Sequence, residues 1–292
     1  MQHDLNDTCG ALKDLQVSRK FVIKAEVRIT NMVTALLARA LGYNPHEKEA
    51  GEKIWKRAQA AIKREFSGKD PSPDDAEAIQ ILGADIGAMR SALQPIKVRR
   101  DEIESDMIRL ARLVPLGTFI EETRGFDLIG LAVIVGEAGN LSNYPNVAKL
   151  WRRLGYGMAK GHEAKAYSTW RLEGGLDADD WTSAGYSPKR LGQIYGVVTV
   201  PLFMSKAKNK YGEVYTRRRA HTAVTHPDWT KGHSDNDARR VMTKALLADL
   251  WSAWRRAMEI LETTACVPSA EIQEATFGMK SRGHLLPEQR AT

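Results

Sequence analysis

The 292-residue chain has little cysteine, few aromatic residues and no apolar run of membrane-spanning length, and each shortage removes a class of protein. Cys9 and Cys266 are its two cysteines, near opposite ends and outside any metal-type spacing. That argues against a disulfide scaffold or a zinc ribbon and for free thiols in a reducing cytoplasm. The apolar stretch Leu128–Val135 is eight residues with a glycine inside it, far short of the roughly 20 that a spanning helix needs. The opening residues, MQHDLNDTCG, offer neither a basic n-region nor an apolar h-region, so no secretory signal is read there. A cytoplasmic protein with no membrane partner is the expectation.

What is present is positive charge, and it is confined. Between Asn146 and Arg256 there are 20 Lys and Arg against 10 Asp and Glu, while the formal net charge of the whole chain is +7. Everything outside that region therefore sums to a small negative charge. Six of the seven tryptophans fall in the same region, from Trp151 to Trp254. A local surplus of this kind favours a polyanionic partner, most often nucleic acid; a solvated basic surface is the plain alternative.

The first half reads as long helices. No Pro or Gly interrupts Leu12–Leu41, and a second helix is predicted over Glu47–Phe66, ended by Ser67-Gly68 and a PSP turn at 71–73. Ile79, Leu82, Ile86, Met89, Leu93, Ile96, Arg100, Ile103, Met107, Leu110 and Val114 then step by three and four, with Arg100 the one polar member. Such regularity predicts a coiled-coil seam, with Pro95 as a local kink. The seam suits either a homo-oligomer through residues 79–114 or a helical hairpin with the first helix. The second half reads as short helices and turns, with a loop or insertion over Gly157–Tyr186, a doubtful strand at Gly196–Val200, a helix over Tyr211–Arg219 and a long helix over 235–262. Ser234 or Asp235 is the predicted cap of that last helix, and Leu247, Trp251, Trp254, Met258 and Leu261 its core stripe. The fold class expected is mainly α: a helical, coiled-coil region over 1–114, a helix-hairpin-helix domain over 115–266, and a tail over 267–292.

The segment that carries chemistry is the predicted hairpin. Gly117–Glu122 forms a short helix, Thr123, Arg124, Gly125 and Phe126 a tight turn, and Asp127 caps a helix running to Gly136. Glycine allows close backbone approach, and amides at a helix N-terminus can meet a phosphate oxygen. Arg124 would add a charge to the same contact. Binding of this kind reads the backbone and not the bases. The block GEAGNLSNYPNVAKLWRRLGY that follows resembles the C-terminal half of the insertion-sequence-110, or Piv-type, transposases and invertases. Glu137, Gly139, Asn140, Leu141, Tyr144, Pro145, Leu150, Gly155 and Tyr156 fall at the positions of that family's pattern. GYSPKRLGQIYGVV and the final helix ARRVMTKALLADLWSAWRR are similar to later segments of the family in a looser register. The resemblance spans roughly residues 80–260.

That resemblance implies DNA as the partner. Beside it, the charge pattern itself makes Arg152, Arg153, Lys189 and Arg190 additions to a basic face, and Arg217, Arg218 and Arg219 part of a phosphate-contacting turn, as further DNA-binding residues. It also implies a serine in the second half, for which Ser168 and Ser183 are both candidates for a catalytic role. Such transposases carry an N-terminal RuvC-like nuclease domain whose acidic residues hold Mg²⁺. Here residues 1–110 read as helix, and no clustered carboxylates on a β-scaffold are evident. No cofactor is therefore expected, and Mg²⁺ enters only if the chain is an active recombinase that borrows acidic residues from a partner. A third reading is a coiled-coil interaction scaffold. Between Tyr215 and Asp237, His221, His226 and His233 can be read as metal ligands or as part of a basic, phosphate-contacting turn; Pro227 and the poor spacing favour the turn.

Overall fold

The computed structural model describes residues 5–157 and 187–265, and among these every regular element is a helix. The chain is mainly α, as its periodicity predicts. Helix α1 (Leu5–Ala40) runs for 36 residues, about 54 Å at the usual rise. It is followed by α2 (Lys48–Phe66), α3 (Pro73–Ile81) and α4 (Gly83–Ala111). The predicted heptad segment is thus two helices, broken at Leu82, with Pro95 inside the second.

The seam of α4 is used within the chain. Ile86, Leu93, Ile103 and Met107 are buried, and α4 lies along α1 as an antiparallel pair, with Arg19 bonded to Glu104 (2.8 Å) and Arg100 to Glu26 (2.7 Å). Arg100, the one polar member of the seam, is there to meet a carboxylate of α1. The hairpin alternative is the arrangement observed. The apolar stepping of residues 79–114, which suited a hairpin or a homo-oligomer alike, is turned largely onto α1.

Two cores hang on α1. The smaller joins Val33 and Leu37 to Ala58, Ile62, Ile79 and Ile86. It is closed by Arg57, which donates to the buried carboxylate of Asp75 at 2.6 Å. The larger begins at Cys9 and Leu12 and takes in Ile103 and Met107, the apolar length of the hairpin's second helix, and Leu246–Trp254 near the end of the described chain. The Cys9 thiol is buried. No helix of the described residues is long and apolar enough to cross a membrane.

The second half is built from shorter pieces: α5 (Gly117–Glu122), α6 (Leu128–Ala138), a 3-10 turn (Leu141–Asn143), α7 (Val147–Arg153), α8 (Pro188–Ile194), a π-helix (Tyr195–Thr199), α9 (Val200–Met204), a second 3-10 turn (Lys206–Lys208), α10 (Tyr211–Thr225) and α11 (Lys231–Ala265). Gly196–Val200, legible in sequence as a strand or a helix, is helical. Its β-branched residues point to extended chain, but Val198 and Thr199 are buried in the larger core and tertiary packing sets the helical form. The expected cap at Ser234 or Asp235 is also corrected: α11 starts earlier, at Lys231, and Ser234 is a buried hydroxyl bonded to Thr222 at 2.6 Å. Trp254 is fully buried and its indole N–H donates to Ser142 (3.1 Å), so the predicted stripe does face the core, although Leu261 at its end is exposed.

Candidate functional site

The predicted hairpin exists as α5, a turn and α6, but the turn is closed by protein. Gly125 adopts φ +88°, and a Cβ placed there would lie 2.7 Å from the carbonyl oxygen of Pro201 and 2.8 Å from Ser205. The close approach that the glycine permits is therefore to α9. Thr123 and Phe126 are buried, Phe126 meeting Phe119 edge-on across the turn at 6.0 Å. Asp127 accepts from the Gly130 amide at 2.8 Å, so the N-terminus of α6 already holds a carboxylate. The Gly130 amide is therefore already satisfied within the chain. Arg124 leaves its side chain exposed on the turn's outer edge.

One residue locks this turn to the chain beside it. Asn209 donates to the carbonyl oxygens of Arg124 (3.0 Å), Leu202 (3.2 Å) and Ser205 (3.0 Å), and accepts from the Gly212 amide (3.0 Å). Gly212 has no room for a Cβ against the Lys206 carbonyl. The effect is to set Arg124 beside the second 3-10 turn, whose Lys206 and Lys208 are exposed. Nothing in the charge pattern marks Asn209; an Asn before a helix start is its one visible signal.

The other predicted basic residues divide by what they touch. Arg190 pairs with Glu137 (3.3 Å), and Arg153 donates to the Glu137 carbonyl (3.3 Å). Arg152 is half-buried. Arg218 pairs with Asp237 at 2.5 Å, and Arg219 donates to the Lys231 carbonyl at 3.1 Å. Lys189 and Arg217 are exposed and make no ion pair among the described residues. The residues named as one binding set are thus not one surface: part of the set holds the fold together.

Glu137 explains much of that. It is buried in the last turn of α6, where the helix dipole disfavours an acid. Lys20 (3.0 Å) and Arg190 compensate it, and Gln16 donates to it at 2.9 Å. Burial and the nearby Arg153 pull the Arg190 pKa below its ordinary value, and burial raises that of Tyr144 beside the two arginines. One residue so ties four helices together: the Glu137 carboxylate joins α6 to α1 and α8, and its carbonyl joins α6 to α7.

The most open constellation lies between α10 and α11. His226 stacks on Trp229 with centroids 4.1 Å apart and rings within 6° of parallel, and Trp229 stacks on His233 at 4.2 Å and 6°. Both imidazoles are exposed. With the indole between them, His226 and His233 cannot share one ion. Among the described residues no group of three or more His, Cys, Asp or Glu is placed to hold a metal.

His233 also lines a cleft of about 490 Å³ with Tyr156, Leu191, Tyr195, Asn236, Asp237 and Arg240. Its inner side is a buried hydroxyl chain. Tyr156 meets Thr199 at 2.7 Å, and Thr199 meets Thr243 at 2.9 Å. Burial pushes the Tyr156 pKa up to about 12, so this phenol is a structural hydroxyl and a poor nucleophile. The π-helix carries both Tyr195 and Thr199 to this cleft, a placement such helices often mark. Arg240 donates to the carbonyls of Tyr156 (3.0 Å) and Gly157 (3.4 Å). Arg239 pairs with Asp235 (2.7 Å), bonds the Tyr195 hydroxyl (3.1 Å) and lies over the Phe203 ring at 3.8 Å. Burial lowers the Lys244 pKa, and its amine sits 4.1 Å over the Trp151 ring. Sequence reasoning found the basic turn but not the ring stack or the cleft, since both depend on contacts between helices. Ser168 and Ser183, the two serine candidates, lie outside the described residues. Comparison with family models, with curated proteins and with solved structures finds no match for this chain.

Proposed function

We propose that the chain is a DNA-binding protein of a mobile element, related to the second half of Piv-type transposases, and that its second half holds DNA by the phosphate backbone. The observation that carries the reading is the confined positive surplus, 20 basic against 10 acidic residues over 146–256. Within it Lys189, Lys206, Lys208 and Arg217 are exposed and make no ion pair among the described residues, as does Arg124 on the hairpin beside it. Cations left unpaired at a surface are those free to displace the counterions of a polyanion. The hairpin contributes Arg124 to this reading, not its helix amides.

Anisotropy of a labelled duplex at increasing salt tests it. A steep linear fall of log affinity with log salt is expected, with a slope of about −0.9 per phosphate contact. Arg124→Glu and Lys208→Glu should each weaken binding at low salt and flatten the slope by about one contact. Absence of binding, or an affinity indifferent to both salt and the two substitutions, would overturn the proposal.

A further inference from the structure

We infer that the cleft beside the His226–Trp229–His233 stack receives an unpaired DNA base, with His233 as its stacking wall. This rests on the DNA-binding reading and adds to it a distinct site. A base needs a flat aromatic face, groups that meet its hydrogen-bonding edge, and a cation near its phosphate. The cleft has all three. His233 is held flat by Trp229, which His226 supports from the far side, and no other ring covers the outer face of either imidazole among the described residues. Stacking on a ring that is already ordered costs little further side-chain entropy.

The turn is fixed by Arg219 on the Lys231 carbonyl and by the Thr222–Ser234 hydroxyl pair. Asn236 is exposed one helical turn beyond His233 and brings both a donor and an acceptor to the cleft. Arg240 lies one further turn along, and Lys231 is exposed at the helix start. The one acid in the lining, Asp237, is already paired with Arg218 at 2.5 Å, so it does not repel a phosphate as a lone carboxylate would. A volume of about 490 Å³ admits a single heteroaromatic ring system with its sugar. Duplex DNA with every base paired presents no free base face to such a wall; an extrahelical base does.

The test compares a short duplex with the same duplex carrying one extrahelical 2-aminopurine, by anisotropy and by 2-aminopurine emission. Expected are a tighter complex with the bulged probe, by roughly 5- to 100-fold, and quenching of its emission as the base stacks. His233→Ala should bring the bulged probe to the affinity that the same variant has for the plain duplex and abolish the quenching. Asn236→Ala, at an exposed position with no packing role, should lower the preference for the bulge without altering the helical signal. Equal affinity for both probes, emission that does not change on binding, or a bulge preference that survives both substitutions overturns the inference and leaves the DNA-binding reading standing. Binding of the bulged probe alone supports the site and overturns the duplex-backbone reading. Binding of neither probe removes both.

Discussion

Two turns between helices, Thr123–Asp127 and His226–Lys231, look alike in sequence: each is short, carries cations and is flanked by helix. In the fold they are opposites. The first is filled, with Gly125 against Pro201 and Ser205, Asp127 on its own helix amide, and Asn209 bonded to the Arg124 carbonyl. The second keeps its rings stacked on one another and open to solvent. A glycine with positive φ reports that something approaches closely, but not whether that something is a ligand or the next helix. Groups that satisfy one another while remaining exposed are the better sign of a surface kept for a partner.

The comparison can be broken at the filled turn first. Gly125→Ala should cost about 3 to 4 kcal/mol, from the left-handed backbone and the clash with Pro201 together. Urea unfolding measures it; a loss near zero would mean that the turn opens freely and is no more closed than its counterpart. Next in size is the floor of the cleft behind the second turn. The Tyr156 phenol keeps its proton to a pKa of about 12 in the fold, against roughly 10 in the unfolded chain. The stability it contributes is therefore complete below pH about 10 and disappears as pH rises through about 12, worth about 2 to 3 kcal/mol. Unfolding at pH about 9 and about 11 should show a steeper alkaline loss for the native chain than for Tyr156→Phe.

Asn209→Ala, which strips three carbonyls and one amide of a partner, should cost about 2 kcal/mol by the same measurement. It should also weaken DNA binding by releasing Arg124 from Lys206 and Lys208. The smallest effect belongs to the open turn: His226→Ala should change stability by no more than about 1 kcal/mol. A larger loss there would make the ring stack a piece of core and erase the contrast.

Much of this architecture was legible from local pattern. The long helices, the three-and-four stepping of residues 79–114 and the Asp127 cap all follow from spacing within one segment, and all are present. What spacing cannot encode is the partner. The same heptads serve a hairpin or a dimer, and the hairpin shows only in contacts between α1 and α4 such as Arg100–Glu26 and Arg19–Glu104. Gly196–Val200 misleads because its β-branched residues respond to burial between helices and not to their own preference. At the site, Arg217, Lys189, Arg190 and Arg218 are alike as charge in the sequence, and the ion pairs of Arg190 with Glu137 and Arg218 with Asp237 are not legible there because those acids are distant in sequence or hidden by helix register. The stack of His226, Trp229 and His233 was present as three letters in the right order, but ring contact is a property of the turn's shape.

The length of α1 has a consequence for the order in which this protein can form. α1 leaves the ribosome before its partners: the residues that share a core with Leu12, such as Ile103, Met107 and Ile134, follow roughly ninety to one hundred and twenty positions later, and those around Trp254 later still. Its Val33 end finds partners sooner, in Ile62 and Ile79. One helix therefore matures from its C-terminal end backwards. Its first three turns, with Leu5, Leu12 and Leu15, wait longest for their cover, and that is where a chaperone that recognises apolar helices would find α1 open.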